Sequence, residues 1–350
     1  MTGTETIPFH VVTGFLGAGK TTLINRLLRA PELGGALVLV NEWGEIGLDN
    51  LLFERLASDA ILVSGGCVCC EMRGDLLDAL RDGLERRDAG LLPPYPRIVL
   101  ETTGLAEPAP ILHALFADQT LATRLSLAGV TTVVDAVNGA ATAAARPESG
   151  RQIALADRLV VMKSDLLPRA ERGARLADLS VALRGLNPVA PILDGAAGEF
   201  GPADFLAMMA GALPAEAALA STEPKHGVRT FVFRSDRPIS PVAFGQFLSV
   251  LGAIIGPRLL RLKGLFALAD RPETPILVDG VQHVFHPPRA LPDWPDADRS
   301  TRVVLIVDRV SARQAEDLWA ALTRAPRIDA PDLAALANNP LAPRSGGLLG

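Results

Sequence analysis

The chain has 350 residues and a formal net charge of −5, from 34 Lys+Arg against 39 Asp+Glu. Hydrophobic residues make up 49% and charged residues 21%, which excludes a mostly disordered chain and, at this length, predicts two domains. A mildly acidic protein has no global attraction for nucleic acid or an anionic membrane, so neither is an expected partner and any phosphate binding has to be local.

The N-terminus, MTGTETIPFH, lacks the basic start of a signal peptide. In the first two hundred residues short aliphatic runs alternate with helix-like stretches. The runs cover 9–12, 36–40, 60–63, 97–100, 130–134, 159–162 and 189–193. Apolar on both faces, they predict a mostly parallel sheet covered by helices, an α/β domain. Helices are expected at 20–29 and at 72–87, where Leu76, Leu77, Leu80 and Leu84 share one side.

An Ala- and Pro-rich stretch then reads as a linker, and the pattern changes. Residues 228–233 alternate with period two. A charge-free run at 238–257 is as long as a membrane span. It contains Pro238, Pro241, Gly245, Gly252 and Gly256, and it spaces Phe244, Phe247, Leu248, Leu251, Ile254 and Ile255 along one helical face. That predicts a soluble core helix over 241–255. Strand-like runs follow at 276–278, 281–285 and 303–307, then a helix at 312–323. The expected domains are 7–212, a P-loop domain; 213–226, a linker; and 227–325, a smaller α+β domain. A poorly ordered tail is expected at 326–350.

Residues 14–21, Gly-Phe-Leu-Gly-Ala-Gly-Lys-Thr, satisfy G-x-x-x-x-G-K-[ST] after an apolar strand and at the start of a helix. The glycines let backbone N–H groups turn inward around phosphate oxygens, and the helix N-terminus adds its positive end. Lys20 is expected to reach the β- and γ-phosphates and the Thr21 hydroxyl to bind Mg²⁺.

At the end of a later strand, Met162-Lys163-Ser164-Asp165 offers a carboxylate that can accept from guanine's ring N–H and exocyclic amine, a pair adenine lacks. The stem of Lys163 is expected on the base face. Glu101 ends a strand and opens Glu-Thr-Thr-Gly. A carboxylate there can hold Mg²⁺ or orient the attacking water, and the Gly104 N–H can meet the γ-phosphate.

Cys67, Cys69 and Cys70 are the only cysteines. They make no disulfide framework and point to a reducing compartment, hence the cytoplasm. Three thiolates after the pair Gly65-Gly66 suit Zn²⁺ or a similar divalent ion, with no fourth ligand nearby. A structural thiol cluster and a redox switch are the alternatives. Glu42, just after the second strand, can supply a carboxylate to that metal or to Mg²⁺.

These segments together resemble the CobW-like P-loop GTPases, a family that includes cobalamin-biosynthesis proteins, nitrile-hydratase activators and zinc-handling chaperones. The matching stretches are GFLGAGKTTLIN (14–25), VNEWGEIGLD (40–49), GGCVCC (65–70), ETTGLAEPAP (101–110), TVVDA (132–136), RLLRLKGL (258–265) and VQHVFH (281–286). The resemblance implies GTP and Mg²⁺ as ligands, Zn²⁺ or Co²⁺ as cargo, and delivery to a client metalloprotein through the C-terminal domain; it leaves a homodimer open.

By motif match, Gly14, Gly17, Ala18, Gly19, Lys20, Thr21 and Thr22 carry the phosphate-loop role, Lys163 and Asp165 the guanine role and Glu101 the hydrolysis role. Cys67, Cys69 and Cys70 carry the metal role, with Glu42 as a further candidate. Met162 stands where the family's guanine motif usually begins with Asn, and a thioether cannot replace the amide's hydrogen bonds. Guanine preference is expected to persist through Asp165 with weaker affinity. His113, His283 and His286 read as packing or surface residues. Arg258, Arg261 and Lys263 read as a solvated basic face or part of an interdomain contact. The rival functions are an assembly factor for one metalloenzyme, a non-catalytic metal sensor and a P-loop kinase with structural thiols.

Overall fold

The computed structural model describes residues 6–40, 61–64, 72–207, 227–282, 284–285 and 288–324. Glu42, Cys67, Cys69, Cys70, His283, His286, the linker 213–226 and the tail 326–350 lie outside the described residues.

The N-terminal part is built on seven strands: β1 (Ile7–Thr13), β2 (Leu37–Val40), β3 (Ile61–Ser64), β4 (Ile98–Glu101), β5 (Leu125–Asp135), β6 (Arg158–Met162) and β7 (Ile192–Asp194). They pair in the order β3-β2-β4-β1-β5-β6-β7, every pair parallel. Each of the seven expected runs meets a strand, the last only at its end, since the run at 189–193 proves to be a strand over Ile192–Asp194. Helices cover both faces, as a parallel sheet requires. Phe9 and Val11 face one side of β1, where they pack with Leu80, Leu84 and Leu112 from the helices Met72–Asp88 and Pro108–Ala117. Val12 faces the other, with Leu23, Ile24 and Leu27 of the helix Lys20–Leu27 and with Phe205. Because β4 returns between β1 and β2, the strand order reverses beside β1. The crevice outside the strands' carboxyl ends at such a reversal is where this architecture binds ligands.

The C-terminal part is an antiparallel sheet in the order β11-β10-β9-β13-β8, with β12 paired to β10. Its strands are β8 (Val228–Ser235), β9 (Leu259–Leu268), β10 (Arg271–Val281), β11 (Val284–Phe285), β12 (Arg289–Ala290) and β13 (Thr301–Asp308). The two expected runs at 276–278 and 281–285 prove to be the end of one long strand and its hairpin partner.

The helix Pro241–Ile255 forms as predicted and starts on a Ser240 cap. Phe244, Phe247, Leu251 and Ile255 enter the core against Phe266, whereas Ile254 is exposed. The helix Ala312–Arg324 packs on the same sheet face and stacks Trp319 on Phe233 at 5.0 Å. Among the described residues no helix is long and apolar enough to cross a membrane.

The second sheet's other face lies against the first domain. Leu260, Leu265, Val304 and Ile306 pack with Ala154 of the helix Pro147–Leu155. Arg261 and Lys263 belong to this face, and both are buried against Asp157 of the first domain: Arg261 Nη2 lies 2.7 Å and Lys263 Nζ 2.5 Å from Asp157 Oδ1. Arg261 also reaches Asp279 at 2.8 Å. For these two residues the solvated-face reading is thereby corrected, and the alternative, an interdomain contact, is what the structure has. They sit on a central strand buried along its whole length, where a cation is tolerated only with a carboxylate facing it.

Candidate functional site

The phosphate loop leaves the carboxyl end of β1 and enters the helix Lys20–Leu27. Gly14 has φ +142°, and a Cβ there would lie 2.3 Å from the carbonyl oxygen of Val133, so no other residue fits. Lys20 Nζ donates to the carbonyls of Gly14 at 3.0 Å and Phe15 at 3.3 Å, which keeps the ammonium within the loop. Thr22 is exposed on the helix's first turn.

β4 pairs with β1 so that Glu101 stands opposite Val12, two residues before Gly14. The Thr21 hydroxyl donates to Glu101 Oε1 at 2.8 Å. The two oxygen groups expected around Mg²⁺ are thus adjacent. Past Glu101, Thr102 donates from its hydroxyl to Thr13 at 2.8 Å. Gly104 then packs directly on the loop, where a Cβ would lie 2.5 Å from Leu16 N.

Lys163 follows β6 with φ +65°, in the left-handed region. Its Nζ donates to Gly17 O at 2.5 Å and to Asp135 Oδ2 at 2.8 Å. Lys163 therefore ties the base motif to the phosphate loop, and Asp135, which the sequence reading missed, holds its ammonium from the other side. Asp135 ends the TVVDA segment and sits opposite Met162 across β5 and β6. Burial alone would raise its pKa, but the Lys163 ammonium and the N–H groups of Asn138 and Val137 outweigh burial and hold it below the ordinary value. Asp165 is exposed in the short turn Ser164–Leu166, and its backbone carbonyl accepts from Arg172 at 3.2 Å.

Met162 is buried between two glycines. A Cβ on Gly19 would lie 3.4 Å from Met162 Cβ, and one on Gly195 would lie 2.7 Å from its sulfur. Arg26 donates to the carbonyls of Gly195 and Phe200, fastening the loop after β7 to the helix Lys20–Leu27. Apolar packing thus occupies the position where an amide was expected.

That loop is internally satisfied. Asp194 Oδ1 accepts from Ser164 Oγ and from the N–H groups of Ala196 and Ala197, and Gly195 N–H donates to Val161 O. A cavity of about 290 Å³ opens on the other flank of the phosphate loop, lined by Phe15, Leu16, Asp135, Asn138, Ser149 and Gln152. His113 is half-buried on the helix Pro108–Ala117, outside this constellation.

A family model described as CobW/HypB/UreG, nucleotide-binding domain, matches residues 8–193. A second, described as Cobalamin synthesis protein cobW C-terminal domain, matches residues 228–323. The zinc chaperone YjiA of Escherichia coli is 29% identical over 308 residues, covering 86% of this chain and 93% of that protein. The zinc chaperone CobW of Pseudomonas aeruginosa is 30% identical over 344 residues, covering 86% and 87%. A solved Zn(II)-bound YjiA GTPase, with one glutamate and two cysteines replaced by alanine, matches at TM-score 0.67 and 26% identity over 91% of this chain and 99% of that one. With one match spanning the parallel sheet and its phosphate loop, and the other the antiparallel sheet docked on it, the chain belongs to the CobW/HypB/UreG family.

Proposed function

We propose that the chain is a GTP-hydrolysing metallochaperone that takes up a divalent transition metal, Zn²⁺ or Co²⁺, at Cys67, Cys69 and Cys70 with Glu42, and passes it to a client protein. The chain is a GTPase of its family. Thr21 and Glu101 place a hydroxyl and a carboxylate oxygen 2.8 Å apart, hard donors of the kind Mg²⁺ takes; the ion, when bound, neutralises charge on the β- and γ-phosphates. Lys20 holds the phosphates, Glu101 orients the attacking water, and Lys163 and Asp165 hold guanine. The C-terminal domain recognises the client.

One observation carries the link between nucleotide and metal. β3, β2 and β4 end level: Val40 stands opposite both Ser64 and Glu101. Two adjacent parallel spacings separate Ser64 from Glu101, about 10 Å. Glu42 follows Val40 by two residues in sequence and Cys67 follows Ser64 by three. The strand ends after which the sequence runs on to Glu42 and Cys67 therefore lie beside the carboxylate assigned to hydrolysis, which supports the link. The relatives named zinc chaperones support zinc as the cargo, as does a solved Zn(II)-bound YjiA GTPase of Escherichia coli.

The deciding experiment is competitive zinc titration of the protein loaded with a non-hydrolysable GTP analogue or with GDP. Zinc is expected to bind about tenfold more tightly in the analogue form, within the usual size of a coupling between two sites. Equal affinities reject the coupling. Phosphate release from GTP that disappears in Lys20→Ala separates the enzyme from a metal sensor with an idle nucleotide site.

A further inference from the structure

The helix Pro147–Leu155 carries two neighbouring side chains that hold the same segment after β4, one of which also reaches the second domain. Gln152, fully buried, donates from Nε2 to the carbonyls of Gly104 at 3.1 Å and Ala106 at 2.9 Å. Its own backbone carbonyl accepts the Thr132 hydroxyl at 2.7 Å, which fixes this turn of helix to β5. Arg151, one residue earlier, donates to the carboxylate of Glu107 and, at 3.2 Å, to Asp308 at the end of β13 in the second domain. The segment both residues hold is the one that starts at Glu101, lays Gly104 on the phosphate loop and runs into the helix Pro108–Ala117. That helix in turn packs with Val281 of β10 through Ala109 and Leu112.

A primary amide has two N–H groups, and Gln152 uses them on two carbonyls two residues apart. Ala106 N–H closes the same turn on Thr103 O at 3.1 Å. Outside that backbone bond, the Gln152 amide is what holds the carbonyls of the 103–106 turn, and with them the direction of the Gly104 N–H. We infer that Gln152 is a positioning residue for the Gly104 turn, and that Arg151 couples the position of that turn to the second domain through Asp308. The inference rests on the reading of Gly104 as a γ-phosphate contact. GDP has no γ-phosphate, so the device acts on GTP and leaves GDP aside.

The test is titration of fluorescent GDP and of a fluorescent non-hydrolysable GTP analogue into the full chain and its variants. In Gln152→Met, which keeps length and loses both donors, analogue affinity is expected to fall about tenfold while GDP affinity stays within about twofold, the scale of two lost hydrogen bonds. Arg151→Ala and Asp308→Ala, at part-exposed positions, are each expected to lower the analogue-to-GDP affinity ratio about threefold, with the double variant no worse than the larger single one. Equal loss for both nucleotides, an unchanged ratio in Gln152→Met, or additive effects at 151 and 308 overturn the inference. Should Gln152→Met fail to fold, the 151/308 cycle decides alone. A wild-type chain that binds the analogue no more tightly than GDP overturns the Gly104 reading, and the inference with it, whereas overturning by the variants leaves that reading intact.

Discussion

Met162 occupies a position where a hydrogen-bonding side chain was expected, and the space around it explains what a methionine can do there. Its Cβ lies against Gly19 and its sulfur against Gly195, so it braces the phosphate loop to the loop after β7 by contact alone. The hydrogen-bonded tie from this segment to the phosphate loop is made by the next residue, Lys163, to Gly17 O. Met162→Asn restores a donor and acceptor at this junction. It is expected to raise guanine-nucleotide affinity about three- to tenfold, the worth of one net hydrogen bond. It is also expected to lower stability of the nucleotide-free protein by about 1–3 kcal/mol, because an amide is then buried where an apolar side chain packed. Nucleotide titration and a denaturant melt read the two effects separately. An unchanged affinity would show that the thioether already does all that the position requires.

At the scale of elements, the sequence was most legible where local pattern and tertiary role agree. β1, the glycine loop and the helix Lys20–Leu27 are spelled by an apolar run, a motif and a helical period, and all three follow from short-range physics. β9 was illegible for the opposite reason. Arg261 and Lys263 interrupt its apolar pattern and mimic a solvated strip, although the strand is central and buried. Their carboxylate partner lies more than a hundred residues away, and no periodicity reports it.

His10 on β1 belongs to the same class of residue. It stacks on Phe205 with ring centroids 4.7 Å apart, beneath the helix Pro202–Leu206. Burial, then the charges of Arg158 and Arg97, push its pKa down to about 3. A histidine neutral in the fold but free to protonate when unfolded contributes full stability above about pH 6.5, and that stability is lost as pH falls from there toward the folded value. Between pH 7 and pH 5 the loss from this residue alone is about 2 kcal/mol. Denaturant melts at both pH values are expected to show it in the wild type, and His10→Gln to shrink the difference by that amount. An equal drop in the variant would assign the pH dependence to other groups.

For the molecule as a whole, the question is what holds the second sheet to the first. Apolar contact between Ala154 and the face of Leu260, Leu265, Val304 and Ile306 gives area without orientation. Asp157 gives orientation, since it accepts Val130 N–H at 2.8 Å and faces Arg261 and Lys263 across the junction. Burial would raise its pKa, but the two cations and that N–H more than offset burial and hold the carboxyl well below the usual carboxylate range. Its contribution is therefore present above about pH 4 and lost as pH falls toward the folded value. Removing the charge leaves Arg261 paired with Asp279 and breaks the ion pair between Lys263 and Asp157. Breaking a buried pair on one side costs about 3–5 kcal/mol. Asp157→Asn is thus expected to split a single calorimetric transition into two, with the antiparallel sheet melting first. Replacing Asp157, Arg261 and Lys263 together by apolar residues of similar volume is expected to recover most of that stability, because an uncompensated charge, rather than a missing attraction, causes the loss. If the triple replacement melts as early as Asp157→Asn, the ion cluster itself stabilises the junction and the apolar face is secondary.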